Sequence, residues 1–288
     1  MRFTERRQRF RTVINCDVCV HPGSIFDPIS ARIAEDIGFE IGMFAGSIAS
    51  FTVLGAPDII ALTLSELAQQ CQRISRASTI PFMVDADHGY GNALNAKRTV
   101  EELEMAGVSG LSIEDTDLPQ PFGKLGQTTL LSLEEGVGKM NAALSGRNDP
   151  NLVIAGRTSA PSLTGVEDTI ARITAYEACG VDMIFLVGVK SRTDLEAIAS
   201  NVSKPIMLGS VGSPDMMDKE YLASQGVRIC LQGHQPFAAA VQALCDTLQA
   251  LRHGTAPEDL QGVASKDLMA RVTRAQEYDL MTRNWLEG

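Results

Sequence analysis

The stretch "MVDADHGYGN" at positions 83–92 places two carboxylates, Asp85 and Asp87, one residue apart, at the end of the apolar run "IPFMV". Residues two apart on a strand project to one face, so the two side chains are expected to aim together. Glu114 closes a second apolar run, "GLSIE", at 110–114. Three like charges at one mouth repel unless a cation sits among them. Hard oxygen ligands suit magnesium or manganese, with one carboxylate binding directly and the others holding its waters. The same acids would otherwise form a solvated rim or pair with nearby lysines. Arg157, in "LVIAGRTSA" (152–160), has a planar fork that fits a substrate carboxylate or phosphate, or a salt bridge to one of these acids. His234 ends "VRICLQGH" (227–234), either as a ligand contact or as a half-buried imidazole. "AGS" at 45–47 offers an anion the backbone at Gly46 and the Ser47 hydroxyl, or is a simple turn. "EEGVGKM" (134–140) lacks phosphate-loop spacing and falls inside a helical pattern, so it is set aside.

These residues need strands to carry them. The apolar runs are 17–23, 40–47, 81–89, 110–116, 152–160, 182–189, 205–210 and 227–234. Helical patterns separate them. "DPISARIAEDIG" (27–38) has a capping residue, an early proline and a final glycine. "TLSELAQQCQRISRAS" (63–78) starts on Thr63 with Glu66 three residues on, a capping-box spacing. Further helices are expected at 92–107, 168–180, 191–199, 213–226 and 235–251, and the basic N-terminus "MRFTERRQRFRTVI" reads as an amphipathic first helix. Strands that are apolar throughout imply a parallel sheet covered by helices. Eight βα units predict a (β/α)8 TIM-type barrel rather than an open doubly wound sheet. Active sites of such barrels lie at the carboxyl ends of the strands, where the acids, Arg157 and His234 fall. The chain is expected to be one α/β domain over 1–288, with 255–288 as a C-terminal helical extension. In that extension Leu268, Val272, Tyr278, Met281 and Trp285 form a helical stripe with no obvious place in a monomer.

The chain has 288 residues, a formal net charge of −10 and 44% hydrophobic residues, which fits a folded core. The acidic balance argues against nucleic acid as a partner, though a small anion needs only one local arginine or a metal. No apolar run is long enough to span a membrane and no secretory leader is evident, so the expected compartment is cytoplasmic. Six cysteines are scattered, and the lone "CDVC" (16–19) lacks the second ligand pair of a zinc site.

The motifs together resemble the isocitrate lyase and phosphoenolpyruvate mutase superfamily. The pieces are "PGSIFDPISARIAEDIGFE" (22–40), "GSIAS" (46–50), "LGAPD" (54–58), "VDADHGYGN" (84–92), "ELEMAGVSGLSIEDT" (102–116), "EEGVGKM", "GRT" (156–158) and "LVGV" (186–189). "ADHGYGNALN", "LTLSE" and the "GH" after the eighth strand make the oxaloacetate decarboxylase branch the nearest likeness. The resemblance implies a barrel whose last helix is exchanged with a neighbouring subunit, in a homodimer or homotetramer. It implies Mg2+ (or Mn2+) at Asp85, with Asp87 and Glu114 beside it or holding its waters. It implies an α-oxoacid cradled by Ser47 and the backbone at Gly46, with Arg157 and His234 in contact. Asp58 joins the substrate contacts in phosphonate-processing members.

One departure stands out. The lyases carry a Lys-Lys-Cys-Gly-His loop, whereas "PFGKLGQTTLLS" (121–132) keeps Lys124 and Gly126 but has neither cysteine nor histidine. Decarboxylation needs an electron sink more than that thiol. The expected reaction is therefore metal-dependent decarboxylation of oxaloacetate to pyruvate and carbon dioxide. The alternatives are a carbon–carbon lyase, a phosphonopyruvate-processing enzyme, or a non-catalytic oxoacid-binding protein on the same scaffold.

Overall fold

The apolar runs pair in chain order as parallel strands: β1 (Gly23–Ser24), β2 (Gly42–Phe44), β3 (Phe82–Asp85), β4 (Gly110–Glu114), β5 (Val153–Thr158), β6 (Met183–Leu186), β7 (Ile206–Leu208) and β8 (Val227–Cys230). The computed structural model describes residues 3–123, 126–209 and 214–286. The first run is corrected. Instead of a strand over 17–23, the segment changes partner in its middle. The Val20 amide donates to the Arg228 carbonyl (2.9 Å) and its carbonyl accepts from Cys230 (3.0 Å), whereas the Gly23 amide donates to Ile41 (3.0 Å). Pro22 lies between them and has no amide to give, so the ladder breaks there. The Val20–Ile229 bridge brings the first and last strands together and closes the barrel.

Among the described residues thirteen α-helices accompany the strands: α1 (Thr4–Ile14), α2 (Pro28–Ile37), α3 (Gly46–Ala49), α4 (Leu64–Ala77), α5 (Ala93–Ala106), α6 (Leu133–Ser145), α7 (Ala160–Leu163), α8 (Val166–Cys179), α9 (Arg192–Ala199), α10 (Lys219–Ser224), α11 (Gln235–Arg252), α12 (Lys266–Thr273) and α13 (Ala275–Leu286). The sequence signals act locally as expected. Asp27 and Ser30 form a capping box on α2, and Thr63 and Glu66 form one on α4. Gly38, Gly107 and Gly180 take left-handed φ of 97°, 91° and 98° where α2, α5 and α8 stop.

Two apolar layers hold these elements. Alternate strand residues such as Met43, Met83, Val153 and Met207 fill the barrel, joined from below by Phe10 and Ile14 of α1. The opposite set, including Phe44, Val84, Ile113 and Leu208, packs against the helices. Arg7 of α1 is buried under the barrel and donates to the carbonyls of Val108 (3.0 Å) and Glu104 (2.6 Å) and to the Asp149 carboxylate (2.9 Å).

The C-terminal extension is helical as expected and consists of α12 and α13. It breaks at Arg274, which has a φ of 61° and pairs through both guanidinium nitrogens with Asp36 (2.8 and 2.7 Å). Val272 of the expected stripe is buried (3% exposed), while Tyr278, Met281 and Trp285 are exposed. Neither α13 nor α11 has a buried residue. Among the described residues no helix is long and apolar enough to cross a membrane.

Candidate active site

The register of the central strands sets the acids and the arginine side by side. Asp85 pairs with Ser112, and Glu114 pairs with Arg157. The Ser112 hydroxyl donates to Asp85 Oδ1 (2.9 Å), and the Thr116 hydroxyl donates to Glu114 Oε2 (2.7 Å). Arg157 hydrogen-bonds Asp85 Oδ2 through Nη1, and its Nε lies 3.4 Å from Glu114 Oε2. Its guanidinium also rests over the Phe185 ring, 5.4 Å from the centroid. Arg157 therefore makes the salt bridges that were one of its two readings, and it makes them to both acids.

Asp87 reaches the same place by another route than strand alternation. β3 stops at Asp85, and Asp87 takes a left-handed φ of 47°. Its carbonyl accepts from the Glu114 amide (2.8 Å), which ties the turn to β4. The carboxylate lies flat against Gly46, where an added Cβ would stand 2.6 Å from both oxygens. Glycine is thus required at 46 because the acid occupies the space a side chain would fill.

The electrostatics follow from crowding. Burial, and then the Asp85 charge, push the Asp87 carboxyl well above the ordinary carboxylate range. Burial raises Glu114 as well, against the pull of Arg157. Burial alone would lower Arg157, but Asp85 and Glu114 outweigh it and keep the guanidinium charged. With all three ionised, the carboxylates and the one guanidinium would leave two uncompensated negative charges. That deficit, presented by oxygen donors, fits one divalent cation of the hard class. Among the described residues no three acidic, histidine or cysteine side chains are grouped closely enough to hold an ion by themselves. Water would have to complete any coordination sphere.

Around this centre lie the remaining expected contacts. Ser47 sits in the first turn of α3, half-buried, just past the end of β2 rather than on the strand itself. His234 caps the start of α11, with Nδ1 3.1 Å from the Ser24 hydroxyl. Burial lowers its pKa, while Asp85 and Asp58 pull it upward. Asp58 is at the exposed edge, yet its carboxyl is raised by the protein packed near it and then by Asp85. Lys124 lies outside the described residues.

Some residues near the site were not foreseen. Lys139 of α6, from the discarded "EEGVGKM", is only 2% exposed, and its Nζ lies 3.5 Å from the Glu114 carbonyl. The signal was present: Gly136, Lys139, Met140 and Ala143 share the buried helix face at three- and four-residue spacing. His88 is buried, and burial followed by the Lys139 charge pushes its pKa down to about 4. The Tyr90 hydroxyl is buried with no hydrogen-bond partner among the described residues. Asp115, by contrast, belongs to the helix side of the sheet. It is fully buried and accepts from Arg172 (3.0 Å) and Tyr176 (2.7 Å).

Residues 18–252 match the model of the family described as phosphoenolpyruvate phosphomutase. A protein of Bradyrhizobium diazoefficiens named oxaloacetate decarboxylase is 58% identical over 278 residues, 96% of this chain and 96% of that one. One of the same name from Rhodopseudomonas palustris is 56% identical over 275 residues, 96% and 95% of the two chains. Among solved structures, phosphonopyruvate hydrolase in complex with oxalate and Mg2+ superposes with a TM-score of 0.85 at 25% identity, covering 98% of this chain and 99% of that one. Oxaloacetate acetylhydrolase bound to the inhibitor 3,3-difluorooxalacetate gives 0.84 at 25% identity, covering 98% and 97%. With the eight-stranded parallel barrel and the acids at its mouth, these likenesses place the chain: it belongs to the phosphoenolpyruvate phosphomutase family, within the isocitrate lyase and phosphoenolpyruvate mutase superfamily.

Proposed function

We propose that this chain decarboxylates oxaloacetate to pyruvate and carbon dioxide, using a divalent cation, magnesium or manganese, held at Asp85 with Asp87 and Glu114 around it. The observation that carries the reading is the two-charge deficit around Arg157, at the barrel end where substrates of this fold bind. Full-length likeness to proteins named oxaloacetate decarboxylase supports the choice of substrate. A cation bound there supplies Lewis-acid polarisation of an oxoacid. The chain's own residues do the rest. Ser47 and the backbone at Gly46 orient the C1 carboxylate. The C3–C4 bond breaks, its electron pair moves into the C2 oxo group, and carbon dioxide leaves. Arg157, fixed and charged, stabilises the oxyanion that develops at C2. C3 then takes a proton to give pyruvate. His234, held neutral by burial, hydrogen-bonds the C4 carboxylate without pairing it to a full charge. Such a pairing would stabilise the substrate more than the transition state.

The same reading extends to assembly. Val241, Leu244, Leu248 and Leu251 lie exposed on α11, and beside its root opens an apolar groove of about 720 Å³ lined by Phe26, Ile33, Ile37 and Phe39. A barrel's eighth helix would normally cover that groove. In a homodimer or homotetramer the α11 of a second copy fills it.

Pyruvate release is measured from oxaloacetate and a small panel of oxoacids, with and without added Mg2+. Metal-dependent turnover of oxaloacetate above the rest is expected. Oxalate binding with no turnover of any oxoacid would reduce the protein to a binder, and equal rates after thorough chelation would remove the metal.

A further inference from the structure

Within one copy of the chain His234 is attached to a helix that gives it little support, because α11 buries none of its residues there. What fixes the start of α11 is Phe237, three residues on. Its ring meets Phe26 edge-on (centroids 5.4 Å apart, 76° between planes) and stacks on Phe51 (5.7 Å, 15°). The two partners come from the two segments that flank the site. Phe26 follows Ser24, the hydrogen-bond partner of His234. Phe51 lies in the π-helical stretch Ser50–Leu54 that continues α3, the helix carrying Ser47. Three rings thus join the elements that bear Ser24, Ser47 and His234.

We infer that Phe237 is a positioning residue, which sets the separation of His234 from Ser47 through its contacts with Phe51 and Phe26. A ring serving only to cover apolar surface would leave turnover untouched once the fold is intact. An aromatic pair adds only modestly to stability beyond its buried area, and displacing a reacting group by about 1 Å can cost roughly 10²-fold in rate. The ring cluster therefore has more leverage on geometry than on stability. The inference rests on the decarboxylase reading for its rate measurement, so a second readout independent of turnover is needed.

The test uses the full chain in its native assembly. Phe237→Leu, Phe237→Tyr, Phe51→Leu and the Phe51→Leu/Phe237→Leu double variant are compared with wild type. For each, kcat and KM for oxaloacetate, oxalate affinity by calorimetry in Mg2+, melting temperature and light scattering are measured. Phe237→Leu is expected to lower kcat about tenfold and weaken oxalate severalfold, the scale expected for loss of one aromatic stack. Melting and assembly should stay near wild type. Phe237→Tyr should restore both quantities, and the double variant should lose little more than Phe237→Leu, since both changes break one contact. Wild-type kcat and oxalate affinity in Phe237→Leu would overturn the proposal, as would losses that multiply in the double variant. Should Phe237→Leu disturb assembly, Phe51→Leu decides, because it leaves α11 unchanged: unaltered kcat and oxalate affinity there would sink the idea. A wild type that binds oxalate but releases no pyruvate would fail the decarboxylase reading alone, leaving oxalate affinity to judge Phe237.

Discussion

Arg157 touches Asp85 and lies within ion-pair distance of Glu114, so one guanidinium organises the acidic mouth. Lysine at 157 keeps the charge but cannot span two carboxylates with one planar group. Arg157→Lys should lower kcat by about 10²-fold, the usual scale for losing one donor to a developing oxyanion. Oxalate should also bind this variant more weakly, and steady-state rates with calorimetry check both. Asp85→Ala should abolish metal-dependent pyruvate release while far-ultraviolet circular dichroism stays unchanged; retained activity would remove Asp85 from the centre. At Gly46 the argument is steric. A methyl group there would press on both oxygens of Asp87, so Gly46→Ala should weaken Mg2+ binding, read by calorimetry, without lowering the melting temperature by more than a few degrees. His234→Gln separates two roles. A raised KM for oxaloacetate at little-changed kcat points to holding the C4 carboxylate, which oxalate lacks, whereas a loss confined to kcat points to proton delivery at C3.

At the scale of elements, the loop after β4 decides between chemistries. Its segment 121–132 has no thiol, so isocitrate and methylisocitrate should not be cleaved. Glyoxylate from the first, at a rate comparable with oxaloacetate turnover, would overturn the assignment. Most helix limits, the cap at the start of 27–38 and the capping box at Thr63 were legible in the sequence because each depends on neighbours within a few residues, and strand order followed from the regular βα alternation of a barrel. The acids and Arg157 were legible for a similar reason, as each ends an apolar run. What escaped depends on distant partners. The break at Pro22 matters because the strand changes neighbour there. Asp87 joins the site through a left-handed turn fixed by the Glu114 amide. Gly46 is small because of an acid on another strand's turn. An unpartnered stripe was expected near the C-terminus, and α13 there buries none of its residues, but α11 buries none either. Leu244→Asp together with Leu248→Asp should therefore lower the assembly state seen by light scattering. An unchanged oligomer would show that this stripe lies outside the subunit contact.

For the whole molecule, the floor of the barrel matters as much as its mouth. Burial would raise the Asp149 carboxyl, but hydrogen bonds from Asn151, Arg7 and Thr4 hold it well below the usual carboxylate range. The sign follows directly. The folded form keeps Asp149 ionised where the unfolded chain would take a proton, so the stabilisation is full above about pH 4 and is lost as pH falls below it. Asp149→Asn leaves the buried Arg7 with only the more distant Glu104 carboxylate, 3.9 Å away, as a charged partner, so its cost should fall below the roughly 3–5 kcal/mol of a fully broken buried pair. Its melting temperature should be lower at pH 7 and should fall less steeply than wild type below pH 4. Equal melting curves across that range would contradict the pairing. The same floor bears on how the chain is made. α1 is synthesised before everything it rests on: the partners of Arg7 lie 97, 101 and 142 residues later, and Asp182, the partner of Arg11, lies 171 residues later. At a ribosomal rate of about 5–20 residues per second, that is a wait of roughly ten to thirty seconds. Through it Phe10 and Ile14 have no barrel to enter, so a basic helix keeps its apolar face open to water on the growing chain.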